Sequence, residues 1–232
     1  MTLATPGEEF DAYVFDAYGT LFDVSGPARR LADRLGGKAG EVSRTWRDKQ
    51  IQYLLLRSLQ GAFEPFDKVT ADALDYALEA HEVSDEGDLR AKLLEEYRQI
   101  EAYPWAKMTL DALKQAGRKT VILSNGSPDM LQSATQSAGL YGLVDEIISV
   151  DAVGINKPHS SVYQLVEHVT GVPPHRAVFV SSNGWDAFGA AHFGFHAAWL
   201  KRFPQPQERL PGMPRWSISC LKDVLETLPQ YA

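Results

Sequence analysis

The sequence has one cysteine, Cys220, which excludes an internal disulfide and any metal site built from several thiolates. Within "WSISC" it reads as a small apolar residue. No apolar run reaches the ~18 residues that a membrane-spanning helix requires. The opening "MTLATPGEEF" has no basic patch followed by an apolar stretch, so no secretory signal is expected. Basic residues are in the minority, 23 Lys and Arg against 30 Asp and Glu. The resulting net charge of −7 makes nucleic acid and anionic membrane surfaces poor partners. The expectation from these shortages is a protein of the reduced cytoplasmic compartment. A last shortage is local. In "VFDAYGTLFD" (14–23) an apolar run ends in Asp16, and two positions on stands Tyr18. Many enzymes that move phosphoryl groups carry a second carboxylate there for proton transfer.

What the chain does have is enough apolar residue, 44% of 232, to build one large domain or a core domain with an insert. Short apolar runs, "DAYVFD" (11–16), "KTVILSN" (119–125), "EIISV" (146–150), "AVFVSS" (177–182) and "FHAAWLK" (195–201), read as five buried parallel strands. Between them "SPDMLQSATQSAG" (127–139), "PHSSVYQLVEHVTG" (158–171) and "DAFGAAHFG" (186–194) have helical spacing and a closing glycine. Before them Pro104 is expected to open a helix that Gly117 closes. This alternation predicts an α/β fold with a Rossmann-like parallel sheet. The stretch from Ser25 to Glu101 carries no convincing strand. Instead it holds three amphipathic segments, starting at Gly40, Phe66 and Asp85. The expected organisation is therefore a core of residues 1–24 and 102–232 with a helical cap of 25–101. An insert just past the first strand stands over the strand's C-terminal end, where open parallel sheets bind ligands, so it suits a lid.

Four of the five expected strands run into polar residues: Asp16, then Ser124 and Asn125, then "DAVGINK" with Lys157, then "SSNGWD" from Ser181 to Asp186. Singly, Asp16 fits a loop cap, Ser124 a helix cap and Lys157 a solvated surface. At successive ends of one parallel sheet they converge. A carboxylate beside an ammonium, ringed by hydroxyl and amide donors, is a constellation for an activated nucleophile.

Five segments, "FDAYGTLFDV", "WRDKQIQYLLLRSL", "ILSNGSPDML", "KPHSSVYQL" and "FVSSNGWDAFGAAHFGF", resemble in order and spacing the L-2-haloacid dehalogenases of the haloacid dehalogenase superfamily. The resemblance covers nearly the whole chain. It implies a core sheet with a helical cap, an aspartyl ester intermediate, no metal or other cofactor, a 2-haloalkanoate substrate and a homodimer. It implies Asp16 as nucleophile and Lys157 as the cation that keeps it ionised. Thr20, Tyr163, Ser181, Asn183 and Asp186 would position Asp16, Lys157 and the hydrolytic water. Ser124 and Asn125, with N–H groups at the start of the following helix, would hold the substrate carboxylate. Arg47 would meet the departing halide or steer the anionic substrate. Ala17, Tyr18, Ile51, Phe66 and Trp185 match positions of the substrate pocket, although apolar side chains at such spacing also serve ordinary cores.

The lone carboxylate now has a physical reading. A phosphatase of this fold needs Mg²⁺ to offset phosphate charge and an acid to protonate the leaving alcohol. Here Tyr18 replaces that acid, and Ser181 and Ser182 stand where phosphatases carry an acidic pair. A halide leaves as a stable anion and needs no proton. Two rivals stay open at this level: a Mg²⁺-dependent phosphatase, and a catalytically retired member serving as a binding protein. One departure from the family is Asp48, where relatives commonly carry Gln. Two readings stay open: a carboxylate beside Arg47 that weakens substrate capture or alters selectivity, and a side chain that points to solvent, since adjacent helix residues do not share a face. His159 is expected exposed at a helix start, with no functional role.

Overall fold

The computed structural model describes residues 9–84 and 87–227. Residues 1–8, on which the expectation about a signal segment rests, lie outside that range, as do Asp85 and Glu86 at the head of the third cap segment. Among the described residues six strands form one sheet: β1 (Ala12–Phe15), β2 (Lys119–Ser124), β3 (Glu146–Ser149), β4 (Ala177–Ser181), β5 (His196–Leu200) and β6 (Trp216–Ile218). Their order is β3-β2-β1-β4-β5-β6, and every pairing is parallel. The helices are α1 (Gly26–Arg30), α2 (Ala39–Gln60), α3 (Phe66–Ala80), α4 (Leu89–Arg98), α5 (Ala106–Gln115), α6 (Pro128–Ser137), α7 (Ser160–Thr170) and α8 (Gly184–Phe193).

Both faces of the sheet are covered, which explains strands that read as continuous apolar runs. Tyr13, Phe15, Ile122, Val178, Val180, Ala198 and Leu200 point to one side, where they join apolar residues of α5, α6 and the final 3₁₀ turn (221–227). Their sequence neighbours Ala12, Val14, Val121, Leu123, Ala177 and Phe179 point to the other, against α7 and α8. The two-residue period of a pleated strand makes that division. β1 lies between β2 and β4, where the strand order reverses, and the crevice beyond its C-terminal end is the place such sheets use for ligands.

Helices α1 to α4 fill the interval between β1 and β2. α3 buries Phe66, Val69, Thr70, Ala73, Leu74, Ala77 and Leu78, a broad stripe at helical spacing. α2 buries a narrower one, Val42, Trp46, Gln50 and Leu54, every fourth residue, and one of the four is polar. The two crossings between the sheet and these helices run side by side. Phe22 bridges Ala102, the Asp23 N–H donates to Glu101 O at 2.8 Å, and the Tyr103 N–H donates to Leu21 O at 2.7 Å.

Two expectations need correction, the number of strands and the start of α5. The sheet has a sixth strand, whose three residues alternate around Ser217 and are too short to register as an apolar run. The turn that follows it leaves Cys220 half-buried, with its thiol 3.3 Å from Asp223 Oδ1. Helix α5 starts at Ala106, two residues after Pro104, because Trp105 takes a left-handed conformation with φ of 71°.

Candidate active site

Asp16 is the first residue past β1, and it is 5% exposed. Its oxygens are held unequally. Oδ2 accepts from Thr20 Oγ1 at 2.9 Å, Asn183 Nδ2 at 2.7 Å and Ser181 Oγ at 3.3 Å. Oδ1 accepts from Lys157 Nζ at 2.9 Å. The ammonium also donates to Asp186 Oδ2 at 2.7 Å and to the Leu123 carbonyl at 3.0 Å, which matches its three protons to three acceptors. Asp186 is fully buried, and its Oδ1 accepts from the Tyr163 hydroxyl at 2.8 Å. The carboxylates and the ammonium come from the ends of β1, the loop after β3 and the start of α8, brought together by the parallel sheet. The Lys157–Pro158 peptide is cis.

Burial pushes the Asp16 carboxyl upward, but the Lys157 ammonium, its hydrogen bond and that of Thr20 outweigh it and hold Asp16 below the usual carboxylate range. Asp186 goes the other way. Burial, reinforced by the Asp16 charge, exceeds the pull of Lys157 and raises it to about 6. Lys157 itself is penalised by burial, yet the two carboxylates keep it charged. Two acids that share one cation are thus set apart, Asp16 firmly ionised and Asp186 titrating close to neutrality.

The loop after β1 is built to aim Thr20. The Ala17 carbonyl accepts from the N–H groups of Thr20, Leu21 and Phe22, closing a tight turn around the buried Ala17. Gly19 has φ of +93°, which L side chains rarely adopt, and a Cβ there would stand 3.4 Å from Arg47 Nη2. Ser182 closes the loop from β4: its N–H donates to Thr20 Oγ1 at 2.9 Å and its hydroxyl to the Gly19 carbonyl at 2.6 Å. Thr20 is left one donor direction, toward Asp16.

Arg47 reaches this loop from α2, donating to the Tyr18 carbonyl at 2.8 Å and to Asn183 Oδ1 at 3.2 Å. Gln50, one turn along α2, accepts from Arg47 Nη1 at 2.7 Å and from the Tyr97 hydroxyl at 3.2 Å, while its amide donates to Thr70 Oγ1 at 2.6 Å. The arginine is therefore braced from α3 and α4. A cavity of about 240 Å³ is lined by Gly19, Arg47, Ser182, Asn183 and Arg202 among others.

Tyr18 is buried in an aromatic wall, 4.6 Å from Phe66 and 5.5 Å from Tyr97 between ring centroids, and its hydroxyl has no partner among the described residues. Gly126 makes room for that ring, since a Cβ there would come within 2.9 Å of it. Ile51 and Trp185 are half-buried, and the indole N–H of Trp185 is buried without a partner among the described residues. Ser124 Oγ accepts from the Gly126 N–H at 3.0 Å, and Asn125 Oδ1 from the Lys157 N–H at 2.9 Å. The helix after them begins at Pro128, which has no N–H, so its first turn offers one donor fewer. Asp48 is exposed, as is His159, which caps α7 by accepting from the Ser161 N–H at 3.3 Å.

Sequence reasoning passed over Ser182, Gln50, Tyr97 and the Leu123 carbonyl. Ser182 was noted only as a missing acid. Gln50 carried a signal, as the single polar member of the every-fourth-residue stripe of α2. Backbone acceptors such as Leu123 leave no trace in side-chain identity.

The haloacid dehalogenase-like hydrolase family profile matches residues 10–194. (S)-2-haloacid dehalogenase 1 of Pseudomonas sp. (strain CBS-3) is 42% identical over 94% of this chain and 96% of its own. A crystal structure of an L-2-haloacid dehalogenase superposes with a TM-score of 0.90 at 41% identity, covering 94% of this chain and 98% of that one. The Xanthobacter autotrophicus L-2-haloacid dehalogenase, solved with chloropropionic acid covalently bound, gives 0.86 at 36% identity, covering 93% and 96%. The match extends from the nucleophile loop through the last helix of the site, and the chain belongs to the haloacid dehalogenase-like hydrolase family.

Proposed function

We propose that this protein hydrolyses (S)-2-haloalkanoates to (R)-2-hydroxyalkanoates and halide, through an ester on Asp16 with inversion at C2. The observation that carries this reading is a solitary, buried, ionised carboxylate. The other acid nearby, Asp186, directs both its oxygens to Lys157 and Tyr163.

The unequal hold on Asp16 assigns the steps. Oδ2, surrounded by three donors, has little lone-pair density left, whereas Oδ1 has a single partner. Oδ1 attacks C2 from the side opposite the halogen, and the C–X electrons leave with the halide, so no acid is called for. Alignment of this kind supplies up to ~7–11 kcal/mol of a barrier. In the ester, Oδ2 becomes the carbonyl oxygen, already facing Thr20, Asn183 and Ser181. When water adds to the carbonyl carbon, these donors receive the developing oxyanion. The acyl–oxygen bond then breaks, Oδ1 departs as the product hydroxyl, and the water oxygen stays in Asp16. The proton that water gives up passes to Asp186, whose raised pKa suits it as a base, and ends on the product hydroxyl. The hydroxyl of Ser124 and the amide of Asn125 suit the substrate carboxylate. Arg47 exchanges its contacts with Tyr18 O and Asn183 for the departing halide, between walls formed by Ala17, Tyr18, Ile51, Phe66 and Trp185.

Metal independence belongs to the same reading. The Lys157 ammonium lies between Asp16 Oδ1 and Asp186 Oδ2, the place a cation shared by two carboxylates would take. With Tyr18, Ser181 and Ser182 where further carboxylates would be needed, acidic oxygens for Mg²⁺ are few around Asp16, which disfavours a Mg²⁺-dependent phosphatase. We further read residues 1–24 and 102–232 as the core, 25–101 as the cap, and the protein as a cytoplasmic homodimer that binds no nucleic acid. Light scattering checks the dimer. No helix among the described residues is long and apolar enough to cross a membrane.

The deciding experiment is halide release from the enantiomers of 2-chloro- and 2-bromopropionate, with and without EDTA, followed by one turnover in ¹⁸O-water with enzyme in excess. Release from the (S) enantiomer that survives EDTA, with the heavy oxygen in the Asp16 peptide and none in the new hydroxyl, is expected. Label in the first-turnover product with none in the enzyme would overturn the covalent route. Activity lost on chelation and restored by Mg²⁺ would move the reading to phosphatase chemistry.

A further inference from the structure

The end of β5 is the one expected strand end to which no chemistry has been given. Just past it stands Arg202, two-pronged and half-buried. Its Nη1 donates to the Gly19 carbonyl at 2.6 Å and its Nη2 to the Thr20 carbonyl, and its guanidinium lies 3.8 Å from the centre of the Tyr103 ring. Gly19 and Thr20 are the turn that aims the Thr20 hydroxyl at Asp16, and Tyr103 is in the crossing from the helical segment back to the sheet. Arg47 grips the preceding carbonyl, that of Tyr18. Three successive carbonyls of the turn are thus gripped by two arginines, one from α2 and one from the sheet, with the Ser182 hydroxyl a second donor to Gly19 O and Asn183 Nδ2 a second donor to Tyr18 O.

We propose that Arg202 is a positioning residue for the nucleophile: it holds the Gly19–Thr20 peptides so that Thr20 saturates Asp16 Oδ2 and leaves Oδ1 as the attacking oxygen. It acts through Thr20, by way of the Gly19 and Thr20 carbonyls. A planar fork is needed because two adjacent carbonyls must be held at once. Lysine keeps the charge but offers a point donor in its place. The inference rests on the dehalogenase reading for its kinetic test, and a second measurement frees it from that dependence.

The test compares wild type, Arg202→Lys, Arg202→Met, Thr20→Val and the double variant Arg202→Met/Thr20→Val. Ester formation is followed in a single turnover with (S)-2-chloropropionate, and rates are taken per folded molecule. Each single variant is expected to lose ~10- to 100-fold in the alkylation rate, the scale of a misplacement of about 1 Å, with KM within ~3-fold of wild type. The double variant should be no slower than Thr20→Val alone, since both changes remove the same hold. In parallel, the ¹³C-labelled Asp16 carboxyl should titrate at higher pH in Arg202→Met than in wild type, a readout that requires no turnover. Unchanged alkylation with a lower Tm would show Arg202 to be merely structural, and additive losses would show that it acts apart from Thr20. Either result overturns the proposal. If wild type releases no halide, the dehalogenase reading fails on its own and the titration decides the role of Arg202.

Discussion

The two halves of the site are constructed on opposite plans. On the sheet side, Asp16, Lys157 and Asp186 are nearly dry, and every strong donor has its acceptor: three protons of Lys157 on three oxygens, three donors on Asp16 Oδ2. On the helical side, Arg47 is half-buried, and two of its three acceptors, Tyr18 O and Asn183 Oδ1, belong to the other half. The buried side is costly to disturb, because low dielectric magnifies an unpaired charge. On the proposed reading the helical side trades partners, as a group that greets an incoming anion and releases a halide has to. Pre-organisation belongs where the nucleophile is aimed, and exchangeable bonds belong where ligands pass.

The sharpest way to break this contrast is on the dry side. Asp16→Asn should lower halide release by ~10⁴-fold or more, since an amide is neither nucleophile nor base; a steady-state assay reads it. Lys157→Met should do comparable damage and also destabilise the fold, because removing one partner of a buried ion pair costs about 3–5 kcal/mol. The sign with pH follows from the carboxylates left behind. Without the ammonium, burial and mutual repulsion raise the folded pKa values of Asp16 and Asp186 above their unfolded ones. The folded state then binds the extra protons, and the deficit should shrink as pH falls. Thermal melts at pH 8 and pH 5 test this: a Tm deficit that grows at pH 5 would sink the argument.

On the exchangeable side the effects should be smaller. Arg47→Ala is expected to lower kcat/KM by at least ~10-fold, the loss of one charge-assisted donor in a partly desolvated cleft. Its Tm should move less than that of Lys157→Met, and equal shifts would erase the contrast between the halves. A pH–rate profile of wild type should show ester hydrolysis falling only below about 6, the free-enzyme value of Asp186, because the esterified Asp16 no longer carries the charge that helps raise it. A flat profile through that range would remove Asp186 as the base. The smallest effect belongs to Asp48→Gln. Asp48 is exposed, so its charge is screened, and substrate capture should improve by no more than ~2-fold at low ionic strength, read as KM.

Much of this plan was legible in the sequence, for reasons particular to each residue. The strand ends announced themselves because a buried parallel strand tolerates polar residues only where it meets its ligand crevice, which is how Asp16, Ser124, Ser181 and Asp186 stood out. Lys157 was legible as a cation near that crevice, but its third acceptor, the Leu123 carbonyl, was not, since backbone groups look alike at every position. Arg202 escaped notice because the polar end of β5 follows the apolar run by two residues and points back at main-chain carbonyls. β6 escaped because three residues of alternating polarity carry too little periodicity.

By itself the sequence determined the βα alternation, the helical insert, the single charged nucleophile and the absence of a second acid at position 18, all of which depend on residue type and local order. Tertiary structure alone decided which oxygen of Asp16 is saturated and which is free, that Lys157 is shared between Asp16 and Asp186, and that the Asp186 carboxyl is raised to about 6. The physical reason is range. Hydrophobic periodicity and turn chemistry act over a few neighbouring residues, whereas desolvation and charge pairing depend on groups such as Asp16 and Asn183, 167 residues apart, meeting at 2.7 Å.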